Sequence, residues 1–140
     1  MSTVESSARP RGRTGVQLLS YGVALIRFAV SALFAARPAM MMNHLYGADN
    51  SSGFQRLAAR HFVLRDFALG LGLLRALRSG RGARKWMLAG SVADAVDLGT
   101  IAVVQPDRAQ RTKLLAGMTA IVVTDAVLTA LLRDEKTTDA

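Results

Sequence analysis

Six ionisable side chains stand inside otherwise apolar stretches of this sequence: Arg27, Arg65, Asp66, Asp94, Asp97 and Asp125. Carboxylates in such surroundings can hold a proton or a cation, and a guanidinium fork suits a pair of carboxylate oxygens. Asp94 and Asp97 are three apart and share a helical face, with Gly90 one turn before Asp94 on that face. Ser20, Ala24, Arg27 and Ser31 form a small, polar stripe at helical period. His61 and Arg65 are four apart and stack on one face, and Asp66 and Gly70 have the same spacing. Ala68 with Gly72 and Ala95 with Gly99 repeat a small-x-x-x-small spacing that lets membrane helices approach closely.

The charge count is unequal. Arg27 and Arg65 face four aspartates, and adding Arg60 still leaves one carboxylate unmatched. A buried layer of this kind is expected to contain a protonated Asp or a cation partner. Two readings follow: a network of ion pairs that fixes helix packing, or a site for a proton, a cation or a small ligand.

Positioning these groups falls to four apolar runs, at about 18–36, 57–77, 86–104 and 114–132. Each is close to the ~20 helical residues needed to cross a bilayer core ~30 Å thick. The first has a single charge, Arg27, and ends at Arg37-Pro38, because proline cannot donate to the helical ladder and restricts the residue before it. The second is the weakest, with Arg60, His61, Arg65 and Asp66 in its first half. With each run's midpoint at the bilayer centre, Arg27 lies at the midplane and all four aspartates and Arg65 within ~3 Å of it. Each charge there costs ~2.5–3.5 kcal/mol on insertion scales, so six in one slab point to an inward-facing layer.

A length of 140 residues fits one domain. Hydrophobic residues make up 51% and charged residues 20%, and the charges gather in short clusters that flank the apolar runs. The formal charge of +8 therefore reads as a topology signal. Nucleic-acid binding is excluded, because the basic residues do not line one face and aromatics are few. With no cysteine, disulfides, thiolate chemistry and cysteine metal sites are excluded as well.

Ten Lys and Arg residues fall in the N-terminal tail, the stretch from Arg75 to Lys85 and the C-terminal tail, against five on the other side. Both termini and the middle loop are expected to be cytoplasmic. The expected fold is all-α, an integral membrane four-helix bundle with N-in/C-in topology. A disordered basic tail at 1–15 and a cytoplasmic tail at 133–140 flank the 16–132 transmembrane domain. The first run is longer than a usual signal core and lacks a clear cleavage site, so it is expected to stay as an anchor. A soluble bundle competes with this reading, but the stretches Val23 to Ala36 and Leu114 to Val123 lack the polar stripe it would need.

Weaker signals add little. Met40, Met41, Met42 and His44 could suit a soft copper ion, but consecutive residues on a helix diverge, and a short interfacial segment after Pro38 is the better reading. Asn50-Ser51-Ser52 matches a glycosylation sequon that is common by chance. Asp94-Ala95-Val96 and Asp125-Ala126-Val127 hint at a repeat too short to count. No cofactor motif, metal-ligand spacing or nucleophile–base pair is evident, so no catalytic residue is assigned.

A central Arg in the first helix, a Pro-containing outer loop, Arg65-Asp66-x-x-x-Gly70 and a mid-helix Asp resemble the DoxX-like group of small four-helix membrane proteins, closest to relatives catalogued as domains of unknown function. The resemblance covers about 18–132 and implies a four-helix integral membrane bundle without supplying an activity. Some relatives carry a His near the middle of the fourth helix, where this chain has Asp125. The expected role is an accessory or structural component of the cell membrane, of the bacterial inner-membrane kind. The alternative is a small proton- or cation-coupled transporter, or a ligand-binding membrane protein, using the Asp/Arg layer. Expected partners are the lipid bilayer and either other membrane proteins or a second copy of the chain.

Overall fold

In a computed structural model, which describes residues 11–47 and 53–132, the chain is all-helical. Among the described residues five helices follow one another: α1 (Arg11–Ala36), α2 (Pro38–Tyr46), α3 (Gly53–Ser79), α4 (Ala83–Val104) and α5 (Arg108–Leu131). No strand occurs among the described residues. The expected sequon at 50–52, residues 1–10 of the N-terminal tail and the C-terminal tail at 133–140 lie outside them.

Four of these helices lie over the expected apolar runs, and α2 falls on the short segment expected after Pro38. Arg37 leaves the helical region at φ −138°, and Pro38 restarts a helix at its first turn, where the missing N–H is not needed. The short α2 that results ends at Gly47, whose left-handed φ of 61° lets its N–H close on the Asn43 carbonyl. The long helices also outrun the apolar runs. α1 includes Arg11 to Gly15, part of the expected tail, and α3 and α5 begin at Gly53 and Arg108. Hydropathy marks only the segment that suits lipid, while the backbone ladder continues beyond it through polar residues such as Arg56, Gln110 and Lys113. Asp107 starts α5 by accepting the Gln110 backbone N–H at 2.9 Å.

Three segments, Gly15–Ala36, Ala83–Val104 and Arg108–Leu131, are long and apolar enough to cross a membrane, consistent with a membrane protein. α3 is equally long but carries Arg56, Arg60, Arg65, Asp66, Arg75 and Arg78.

α1 packs mainly on α3 and α4 mainly on α5, with α3 joining the two pairs through α4. One apolar cluster, around Ala24, Leu73, Met87 and Leu128, fills the end near the α3–α4 turn. The other, around Phe34, Met42, Tyr46, Ala59 and Ile101, fills the end beneath α2. Between them lies a polar layer. Asp66 falls seven residues from both Ala59 and Leu73, and Asp94 seven from both Met87 and Ile101. Two helical turns thus separate the layer from each core on the same inward face.

The outward faces are apolar. Leu25 and Ile26 on α1, Leu64 and Phe67 on α3, Val96 and Val103 on α4, and Val123 and Val127 on α5 are all half or more exposed. Ser20, Arg27, Asp66, Asp94 and Asp125 are buried. That distribution inverts the one water selects for a soluble bundle, and it weighs against that competing reading.

Candidate functional site: a buried Arg/Asp layer beneath a cleft

Arg27 projects from the middle of α1 into the bundle, where Ser20, Ala24 and Ser31 are buried on the same stripe. Its room comes from small residues. A Cβ on Gly70 would lie 3.3 Å from Arg27 Cβ, which marks the close approach of α1 and α3. A Cβ on Gly90 would meet the guanidinium itself at 2.5 Å. The absent side chain at Gly90 is therefore the space that Arg27 occupies.

Arg27 reaches three helices from that position. Its Nη2 donates to Asp94 Oδ2 at 2.6 Å and to Asp125 Oδ2 at 3.0 Å, and its Nη1 donates to Asp94 Oδ1 at 3.4 Å. Asp66 Oδ1 lies 3.5 Å from Nη1. The two Asp-Ala-Val tripeptides, on α4 and α5, thus place their carboxylates on a single guanidinium nitrogen.

Asp97 does not join Arg27, although it shares a face with Asp94. It pairs bidentately with Arg65, whose Nη1 and Nη2 donate to Oδ1 and Oδ2 at 2.8 and 2.6 Å. Arg65 also donates to Asp66 Oδ1 from Nη2 at 3.2 Å and from Nε at 3.3 Å. The three-residue step from Asp94 to Asp97 turns the helix by about 300°, roughly 60° short of a full turn, which is enough to deliver the two carboxylates to different guanidiniums. Asp66 touches both arginines through one oxygen and joins the two groups into one network.

The structure therefore brings together all six residues singled out in the sequence. Arg60 and His61 stay outside: both are exposed, and the partner stacked beneath Arg65 is Phe62, whose ring centre lies 4.7 Å from the guanidinium carbon. Of the small-x-x-x-small pairs, Gly72 lies against Trp86, but Ala95 and Gly99 face outward with nothing close to Gly99. The Met run splits as its helical positions require. Met40 is exposed, Met41 borders the cleft described below, and Met42 packs in the core. Among the described residues, no three His, Asp or Glu side chains are grouped to hold a metal ion.

Because α1 and α5 meet only sparsely, a cleft of 380 Å³ opens between them with the polar layer as its floor. Arg27, Arg65, Asp66, Asp94, Asp97 and Asp125 all line it. Its walls are apolar and aromatic, from Val30, Phe34, Leu45, Phe62 and Met118 among others. Ile26 of α1 and Ile121 of α5 border the cleft and are exposed on the bundle's outer surface, so its mouth faces sideways.

Tyr46 closes the α2 end. It is 7% exposed, lines the cleft and stacks on Phe62 at 5.8 Å, and its hydroxyl has no hydrogen-bond partner among the described residues. Burial first, then the charge on Asp97, push its phenol above the ordinary value. α2 is held in place by Gln105, which donates from Nε2 to the His44 carbonyl at 3.0 Å and accepts the Asp107 N–H at 3.2 Å. Tyr46, Phe62 and Gln105 were not legible as site residues, because none breaks the pattern of its own segment. Tyr46 matters only through a helix that folds back over the bundle.

Set against known proteins, the chain matches no family model, no curated protein and no solved structure.

Proposed function

We propose that this chain is a four-span protein of the cell membrane, of the bacterial inner-membrane kind, that binds a small molecule in the cleft above its Arg/Asp layer. Three spans meet the length and hydropathy of a membrane helix. α3 serves as the fourth. Arg65 and Asp66 turn inward and are paired, while Leu64, Phe67 and Leu71 face outward. Its remaining charges gather toward its two ends, where long side chains can snorkel to the interface. The distribution of Lys and Arg supports cytoplasmic termini.

The observation that carries the reading is that a cavity adjoins the ion-pair layer, where the side chains of Arg65 and Asp97 keep 20% and 13% of their surface exposed. Its volume of 380 Å³ is within the ~300–1,000 Å³ typical of small-molecule sites. The layer still ties the helices together, since Arg27 alone joins α1 to α3, α4 and α5. An accessory or structural role is the second reading, and that bridging favours it.

The test compares the protein with Val30→Trp, which adds bulk to the apolar wall of the cleft and leaves every ion-pairing residue in place. A chemically diverse panel of compounds, each below about 20 heavy atoms, is screened by thermal shift in lipid nanodiscs. Compounds that stabilise the protein but not Val30→Trp support the reading. A panel in which no compound distinguishes the two sinks it. Uptake into proteoliposomes across a pH gradient then separates a transporter from a binding protein.

A further inference from the structure

The chemistry of the cleft narrows its occupant, given that it binds a small molecule at all. The floor holds two guanidiniums and four carboxylates, a formal charge of −2 when all are ionised. Both guanidiniums already have carboxylate partners. Arg65 is held bidentately by Asp97 and again by Asp66, and Arg27 is shared by Asp94, Asp125 and Asp66. An anionic ligand would have to displace one of these pairs and add to a floor whose formal charge is already negative, which is a costly exchange in low dielectric. A cation reduces the imbalance without breaking any pair.

Tyr46 points the same way. Its hydroxyl is buried, has no partner among the described residues, and stands within electrostatic reach of Asp97, Arg65 and Asp66. A buried hydroxyl without a partner costs about 1–3 kcal/mol, a cost that a donor reaching it from the cleft would remove. The aromatic faces of Phe34 and Tyr46, both stacked on Phe62, add a cation-tolerant wall. Above this polar floor the walls are apolar and the mouth, between Ile26 and Ile121, is flanked by exposed aliphatic side chains. A ligand arriving from the acyl-chain region through that mouth needs an apolar body.

From these observations we infer that the cleft takes an amphiphilic amine: a protonated ammonium head set among Asp97, Asp66 and the Tyr46 hydroxyl, with a small apolar or aromatic body along the α1–α5 wall. The volume fits a body of about one ring and a short chain. This rests on the small-molecule reading above and goes beyond it by fixing the charge and shape of the ligand.

Three probes of one shape test the assignment on the full chain in lipid nanodiscs. They are 3-phenylpropylamine, which is protonated at neutral pH; n-butylbenzene, in which a methyl replaces the ammonium; and 4-phenylbutanoate, in which a carboxylate does. The amine is expected to bind at least ~10-fold more tightly than either analogue. Tyr46→Phe, which keeps the ring and removes only the hydroxyl, is expected to weaken the amine by ~3–10-fold and leave n-butylbenzene unchanged, as loss of one hydrogen bond requires. Val30→Trp supplies the filled-cleft control, and Ile121→Trp at the mouth replaces it if that variant does not fold. Tighter binding of the hydrocarbon or the carboxylate overturns the amine assignment while leaving a binding cleft in place. Equal amine affinity in Tyr46→Phe overturns it too. If no probe distinguishes the protein from the filled-cleft variant, the amine assignment and the small-molecule reading fall together.

Discussion

The guanidinium of Arg27 lies where a side chain on Gly90 would be, at 2.5 Å from the position of its missing Cβ. α4 can therefore bring Asp94, one turn further on, to 2.6 Å from Arg27 Nη2. The glycine and the ion pair are one structural unit, and the unit makes predictions on both sides.

Gly90→Ala should displace Arg27 from Asp94 and Asp125. The loss of stability is expected to be about 2–3 kcal/mol, the cost of overpacking with part of a buried pair. Gly99→Ala, at a site with open space around it, is expected to be neutral or slightly stabilising, since alanine is the better helix former. Thermal denaturation in detergent, followed by size-exclusion profile, should rank the two. Equal melting would mean that Arg27 does not depend on that space.

Arg27→Ala should be more damaging than Asp97→Asn. The first leaves Asp94 and Asp125 without their guanidinium, a loss of about 3–5 kcal/mol by the measure of broken buried pairs. The second leaves Arg65 paired to Asp66 and removes one carboxylate from a layer that has more carboxylates than guanidiniums. Expression level and detergent half-life of the two variants check this. Indistinguishable behaviour would contradict the central place given to Arg27.

The connection that carries Tyr46 has its own weak point. Gly47 has φ of 61°, and a Cβ there would lie 2.6 Å from Pro106 Cδ and 2.9 Å from Gln105 Oε1. Gly82 has φ of 77° with nothing near. Gly82→Ala is expected to cost about 1 kcal/mol, and Gly47→Ala about 2 kcal/mol or more because backbone strain and a clash add together. Thermal stability of the pair provides the comparison, and loss of amine binding in Gly47→Ala would link the connection to the cleft. A milder effect at Gly47 than at Gly82 would argue against the interlocked loops.

Topology is open to direct measurement. Reporters fused after Arg81 and after Ala140 should both read as cytoplasmic, and one inserted near Asn50 should not. A cytoplasmic signal near Asn50 would remove α3 from the set of spans and with it the four-span arrangement.

The long helices, their apolar character and the six residues of the layer could all be read from the sequence. Each rests on a local property: hydrophobic length, helical period, and the cost of placing a charge in an apolar run. The Ser20-Ala24-Arg27-Ser31 stripe is buried because the period of a helix is enough to define a face. Pairing was not legible in the same way. Asp97 shares a face with Asp94 yet belongs to Arg65, because partner choice depends on how far neighbouring helices are rotated and translated, and those values come from packing at Gly70, Gly72 and Gly90. The cleft was hidden for the same reason. It exists because α1 commits to α3 and α5 to α4, leaving a gap between the two pairs that no local pattern encodes. Composition and period determined which residues turn inward, and the tertiary structure alone decided which of them meet and what space they enclose.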